Sequence, residues 1–117
     1  MPTFGYEFND EGAPERYLAP VGFPYGAAHE SDVQYLFDLN NTPYPGILTQ
    51  AQQQLATTMR QDWTTFAKNG SPSSPSGTVW TRFTDFHQDL RSLAPSSSRM
   101  ESDFAAEHHC AFWARFA

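Results

Sequence analysis

Gly26-Ala27-Ala28-His29-Glu30-Ser31-Asp32-Val33-Gln34-Tyr35-Leu36-Phe37 is the stretch on which the reading of this chain turns. Three small residues lead to a histidine that a substrate can approach, and histidine alone has an ordinary pKa that lets it trade a proton near neutrality. Beyond it Val33, Leu36 and Phe37 fall at i, i+3 and i+4, one face of a helix. Glu30 and Asp32 suit the first turn of that helix, where the backbone dipole favours acids. Taken alone, a histidine beside a helix start is ordinarily a surface or capping residue, so His29 has two readings at this point, catalytic base and surface group.

Working outward, Phe4-Gly5-Tyr6-Glu7-Phe8 alternates aromatic with small or polar residues, the period-2 pattern of a strand with one buried face. Turn formers from Asn9 to Pro14 end it, and Pro20, Gly22, Pro24 and Gly26 predict an extended, ordered loop carrying Tyr17, Phe23 and Tyr25. On the other side of the histidine stretch, Asn40 to Gly46 stops the first helix. Thr49 with Gln52 three residues on forms a capping-box pattern, and Leu55, Met59, Trp63 and Phe66 then recur at helical spacing until Asn69-Gly70. Ser71 to Gly77 reads as a Ser/Pro-rich loop. Val79-Trp80-Thr81-Arg82-Phe83 reads as a short strand able to pair with Leu90-Arg91-Ser92-Leu93. A last helix is predicted from Ser102 to Phe116, with Phe104, His108 and Phe112 in one stripe and Ala105 and Trp113 beside it. No parallel neighbour for Phe4–Phe8 is expected within the chain.

The chain has 117 residues, of which 15% are aromatic and only 17% charged, below the roughly 25% of average domains. Such a chain is built to pack, yet its mean hydropathy of -0.56 leaves little aliphatic material for a core of its own. At about 100–200 residues per domain the length allows one ordinary domain at most, and composition alone leaves that tension standing. Thirteen acids against seven scattered bases give a net charge of -6, the wrong balance for neutralising phosphates, so no nucleic-acid partner is expected. No run approaches the roughly 18 apolar residues of a membrane span, and Met1–Glu7 lacks the pattern of a signal peptide, which leaves localisation open.

Cys110 is the single cysteine and closes no internal disulfide; it reads as a buried small hydrophobe or as half of a disulfide to another segment. Glu107-His108-His109-Cys110, with His87, has metal-ligand types, but neighbouring helical side chains diverge by about 100°, so no metal site is expected. Cofactors are not expected either. Asn40-Asn41-Thr42 and Asn69-Gly70-Ser71 are sequons of low specificity. The chain contains no G-x-S-x-G, G-x-G-x-x-G, P-loop, H-E-x-x-H or C-x-x-C motif. If His29 is a base, its nucleophile is not in these 117 residues.

The ordered set of features resembles the C-terminal part of type B carboxylesterases, the α/β-hydrolase group that includes p-nitrobenzyl-type esterases and cholinesterases. Tyr6-Glu7-Phe8 is similar to the strand ending that precedes the catalytic-histidine loop. His29, Asp32, Val33, Tyr35, Leu36 and Phe37 take the places of that family's His, acid, aliphatic, aromatic, aliphatic and Phe. Met59 to Pro72 looks like its long helix with Trp, Phe-Ala and Gly-x-Pro, and His108-His109-Cys110-Ala111-Phe112-Trp113 resembles its closing Cys-x-Phe-Trp helix. Val79 to Phe83 stands where the family has Trp-Pro-x-Tyr, with Thr81 and Phe83 as departures.

The resemblance implies an α/β fold class, with residues 1–117 forming a C-terminal portion of the α/β-hydrolase domain: one core strand, a catalytic-histidine loop, a long helix, short edge strands and a terminal helix. It implies His29 as the histidine of a Ser-Glu/Asp-His triad acting on a small-molecule carboxylic ester. Because such triads run Ser, acid, His along the chain, the serine, the acid and the oxyanion loop belong to an N-terminal part of the domain, which becomes the implied partner. The isolated chain is then expected to be inactive. Two other readings are a stand-alone non-catalytic binding protein using its aromatic loop and strand edge, and a subunit complementing a separate chain that carries the serine.

Overall fold

The structure, a computed structural model, describes residues 1–74 and 77–117. In chain order the elements are β1 (Tyr6–Phe8), α1 (Val33–Leu36), α2 (Gln50–Asn69), β2 (Leu90–Leu93), β3 (Arg99–Glu101), α3 (Phe104–Glu107) and α4 (Cys110–Trp113). The strands form one mixed sheet in the order β1-β2-β3. β1 and β2 run parallel, with Tyr6 opposite Arg91 and Phe8 opposite Leu93, and β2 and β3 run antiparallel.

Alternation along the strands sorts the side chains onto two faces. Tyr6 and Phe8 point to the α1–α2 side, where Tyr6 meets Trp63 edge-on at 5.0 Å and Phe8 meets Tyr35 at 5.0 Å. Tyr35, Leu55, Ala56, Met59, Trp80 and Leu93 close the core on that face. Glu7 points the other way, where its carboxylate accepts from His108 Nε2 at 2.6 Å and from Asn9 Nδ2 at 3.2 Å. Asn9 Nδ2 also donates to Ser92 Oγ at 2.9 Å, so this second face is polar and ties β1 to β2 by side chains.

α2 forms as its sequence pattern dictates. The Thr49 hydroxyl accepts from the Gln52 N–H while the Gln52 side chain accepts from the Thr49 N–H, and Gly70 ends the helix at φ 71°. Leu55, Ala56 and Met59 are buried, Trp63 is half-buried, and Phe66 reaches the open end. Asp62 is buried on the same face, where its carboxylate accepts from Trp80 Nε1 at 3.4 Å. Burial raises the Asp62 pKa, and the Thr78 and Trp80 hydrogen bonds and the Arg91 charge pull against it.

Four expectations are corrected. Residues Val79–Phe83 form no strand; Phe83 makes only an isolated bridge to Thr3. Both edges of Leu90–Leu93 are already taken by β1 and β3, and the Trp80 ring leaves the surface to fill the core beside Trp63. The parallel neighbour of β1 is therefore within the chain after all, namely β2. In α1 the buried side chains are Gln34 and Tyr35, whereas Phe37 is exposed, because one helical turn is oriented by the hydrogen bonds of Gln34 and Tyr35. The terminal helix is two short helices broken at His108-His109, with His109 at φ 51°. Neither piece buries a residue, so no packed face enforces a continuous helix. The reading of Ser71–Gly77 as a loop holds for its described part; Pro75 and Ser76 lie outside the described residues.

Met59 is wholly buried at the centre of the core. Met59→Ala is expected to lower the unfolding free energy by about 2–5 kcal/mol, measured by urea denaturation followed at the α2 circular-dichroism signal.

Candidate functional site

The site begins where β1 ends. Asp10 is buried two residues after the strand, and its two carboxylate oxygens hold different segments. Oδ1 accepts from the Gly12 N–H at 3.0 Å, and Oδ2 accepts from the Tyr35 hydroxyl at 2.5 Å and from Gln52 Nε2 at 2.9 Å. Gln52 Nε2 also donates to the Gly12 carbonyl at 3.0 Å. One carboxylate thus joins the end of β1, α1 and α2. The Tyr35 hydroxyl is held far above the ordinary tyrosine range, first by burial and then by its bond to Asp10.

Two further clamps shape the connection that follows. Glu15 Oε1 accepts the backbone N–H groups of Arg16, Tyr17 and Leu18 at 2.8–3.1 Å, and these hydrogen bonds lower its pKa. The Arg16 guanidinium donates to Thr42 Oγ1, the Gly46 carbonyl and the Leu39 carbonyl at 2.8–2.9 Å, joining the loop before His29 to the loop after α1. Gly46 lies so close to Pro14 and Arg16 that a Cβ there would overlap both side chains.

His29 stands on a tight turn between these clamps. The Ala28 carbonyl accepts from both the Ser31 N–H at 3.1 Å and the Ser31 hydroxyl at 2.6 Å, and Glu30 takes φ 69°. That geometry projects the imidazole outward, with 95% of its side chain exposed. Its nearest carboxylate is Glu30 Oε1 at 3.8 Å, beyond hydrogen-bond range. Asp32 accepts instead from the Tyr6 hydroxyl at 3.3 Å. Beside the ring lies a hollow of about 240 Å³ bordered by Pro14, Tyr17, Ser31, Gln34 and Leu39, with Arg16 in its wall. The Gln34 amide nitrogen is fully used on the Pro14 and Ser31 carbonyls, while its oxygen is buried with no partner among the described residues.

A larger hollow of about 340 Å³ lies between Phe4, Tyr6, Trp63, Phe66 and Trp80, at the entering end of β1. In open α/β sheets ligands bind beyond the carboxyl ends of the strands. The His29 hollow and a third one of about 490 Å³, bordered by Gly12, Pro20, Phe23, Tyr25 and Tyr44, are both lined by segments that follow β1 and fit that rule, whereas the hollow at Phe4 and Trp80 does not.

The other residues singled out in the sequence are dispersed. His108 stacks on Phe104 at 4.2 Å and engages Glu7, and Cys110 is free and exposed, which corrects its reading as a buried hydrophobe because α4 buries no residue. Among the described residues no group of three or more His, Cys, Asp or Glu side chains is placed to hold a metal ion, and no helix is long and apolar enough to cross a membrane. Sequence reasoning passes over Asp10, Arg16 and Gln34. Gln52 is legible only as a cap, although its amide nitrogen serves Asp10 as well. The one signal present is a set of polar residues next to turn formers, which reads equally as solvent-exposed loop.

The geometry has counterparts among solved structures. A thermophilic PNB esterase is 24% identical with a TM-score of 0.69, over 93% of this chain and 21% of its own. A second PNB esterase is 23% identical with a TM-score of 0.67 over the same shares. The Geobacillus stearothermophilus carboxylesterase, solved at pH 6.8, is 18% identical with a TM-score of 0.63, over 94% of this chain and 22% of its own. The chain therefore has the fold of part of these α/β-hydrolase esterases and spans about a fifth of their length. No curated protein sequence matches it. The sequence profile described as the Carboxylesterase family matches residues 1–113, and the chain belongs to the carboxylesterase family.

Proposed function

We propose that this chain is the histidine-bearing C-terminal portion of a carboxylic-ester hydrolase, with His29 as the general base of a Ser-Glu/Asp-His triad. The observation that carries the reading is the placement of His29: an open imidazole on a turn beyond the carboxyl end of β1, in a chain of the carboxylesterase family. In such a triad the imidazole takes the proton of the attacking serine and returns it to the leaving alcohol, while a carboxylate fixes the ring tautomer. No carboxylate stands within hydrogen-bond range of His29 among the described residues. The orienting acid, the serine and the oxyanion donors come from sequence outside these 117 residues.

The supporting partner is the rest of an esterase domain. β1 lies at one end of the sheet order, so one of its edges is unpaired among the described residues. A parallel sheet strand is ordinarily covered on both faces and flanked by neighbours. The open edge of β1 supports docking of a further strand from that domain.

Two outcomes are expected. Alone, the chain turns over p-nitrophenyl acetate no faster than the equivalent concentration of free imidazole; serine-dependent turnover that disappears in His29→Ala contradicts this. Grafted in place of the matched region of the thermophilic PNB esterase, the chain restores hydrolysis, and His29→Ala lowers kcat by at least about a thousandfold. A graft that keeps its turnover in His29→Ala overturns the assignment of the base.

A further inference from the structure

We propose that Asn69 is a site of spontaneous deamidation whose rate is gated by the last turn of α2. The chain has four asparagines, Asn9, Asn40, Asn41 and Asn69, and only Asn69 precedes a glycine. Glycine has no Cβ to obstruct the approach of its own nitrogen to the preceding side chain. Asn69 is exposed at the helix end, whereas Asn9 is part-buried with its amide nitrogen committed to Glu7 and Ser92.

The chemistry needs only water. The Gly70 nitrogen loses its proton to solvent and attacks Asn69 Cγ. The new C–N bond closes a five-membered imide as the Cγ–Nδ2 bond breaks and ammonia departs with a proton. Water then adds to one of the two imide carbonyls and opens the ring to aspartate or isoaspartate. The balance is one water in and one ammonia out, with no change of oxidation state.

Folded, that attack is obstructed. The Gly70 N–H donates to the Phe66 carbonyl at 2.7 Å, and Asn69 is still within the helix. The nitrogen is released only when the last turn frays, an event of low free-energy cost at a helix terminus. Once formed, the product places a negative charge at the C-terminus of α2, where the macrodipole disfavours it. The isoaspartate form also lengthens the backbone by one methylene at the αL cap. The same Asn-Gly pair that terminates the helix therefore limits how long that terminus stays intact.

The test incubates the 117-residue chain in mildly alkaline buffer with and without concentrated urea and follows peptides by mass. The expected result is a gain of roughly 1 Da appearing first on the peptide holding Asn69, about tenfold slower in buffer than in urea. It is absent from that peptide in Asn69→Gln and slowed in urea by Gly70→Ala. A first gain at Asn9, Asn40 or Asn41, equal rates in buffer and urea, or no gain at Asn69 overturns the proposal.

Discussion

A buried carboxylate holds the structure together at the point where its segments meet. Asp10 is 5% exposed, and a charge in that position is costly unless its oxygens are satisfied. The Gly12 N–H, the Tyr35 hydroxyl and the Gln52 amide satisfy it, and each comes from a different segment: the turn after β1, α1 and α2. Removing a donor leaves a buried carboxylate short of a partner, which costs stability, so the three segments are tied to one another through it. The position of His29 follows from this. Its turn lies between the Asp10 anchor at the end of β1 and the Tyr35 anchor in α1, so the exposed ring projects from a backbone held at both ends.

The sheet adds a second constraint through its two unlike faces. Tyr6, Phe8 and Leu93 bind the sheet to α2 by apolar burial, and Asp62 and Arg91 bring opposite charges into the same layer. Burial moves the two pKa values in opposite directions, up for Asp62 and down for Arg91, while each charge favours the ionised form of the other. On the far face Glu7, Asn9 and Ser92 form a polar seam that receives His108. That imidazole and its stacking on Phe104 connect α3 to the sheet, although neither α3 nor α4 buries a residue.

Local signals in the sequence are legible where the chain decides its own conformation. The Thr49–Gln52 box and the Gly70 stop predict α2 because capping is a short-range contest over a few N–H and C=O groups. Strand pairing escapes such reading because it is a long-range choice. Nothing in Leu90–Leu93 announces β1, more than eighty residues earlier by the register Tyr6 to Arg91, as its partner instead of Val79–Phe83. The buried face of α1 escapes it for a related reason: periodicity counts Val33, Leu36 and Phe37, but Tyr35 is drawn inward by a carboxylate that helical spacing cannot reveal. His29 is legible as a candidate, while the residues that hold its loop are not.

The backbone that presents His29 is held by the Asp10 anchor, through the coupling of Asp10 to Tyr35. A double-mutant cycle of Asp10→Asn and Tyr35→Phe, with amide exchange at Ser31 and Val33 followed in each variant, tests it most directly. The predicted result is a coupling free energy of about 1.5–3 kcal/mol and faster exchange at both amides in either single variant. Additive effects, with Ser31 and Val33 as protected as in the unaltered chain, would contradict it.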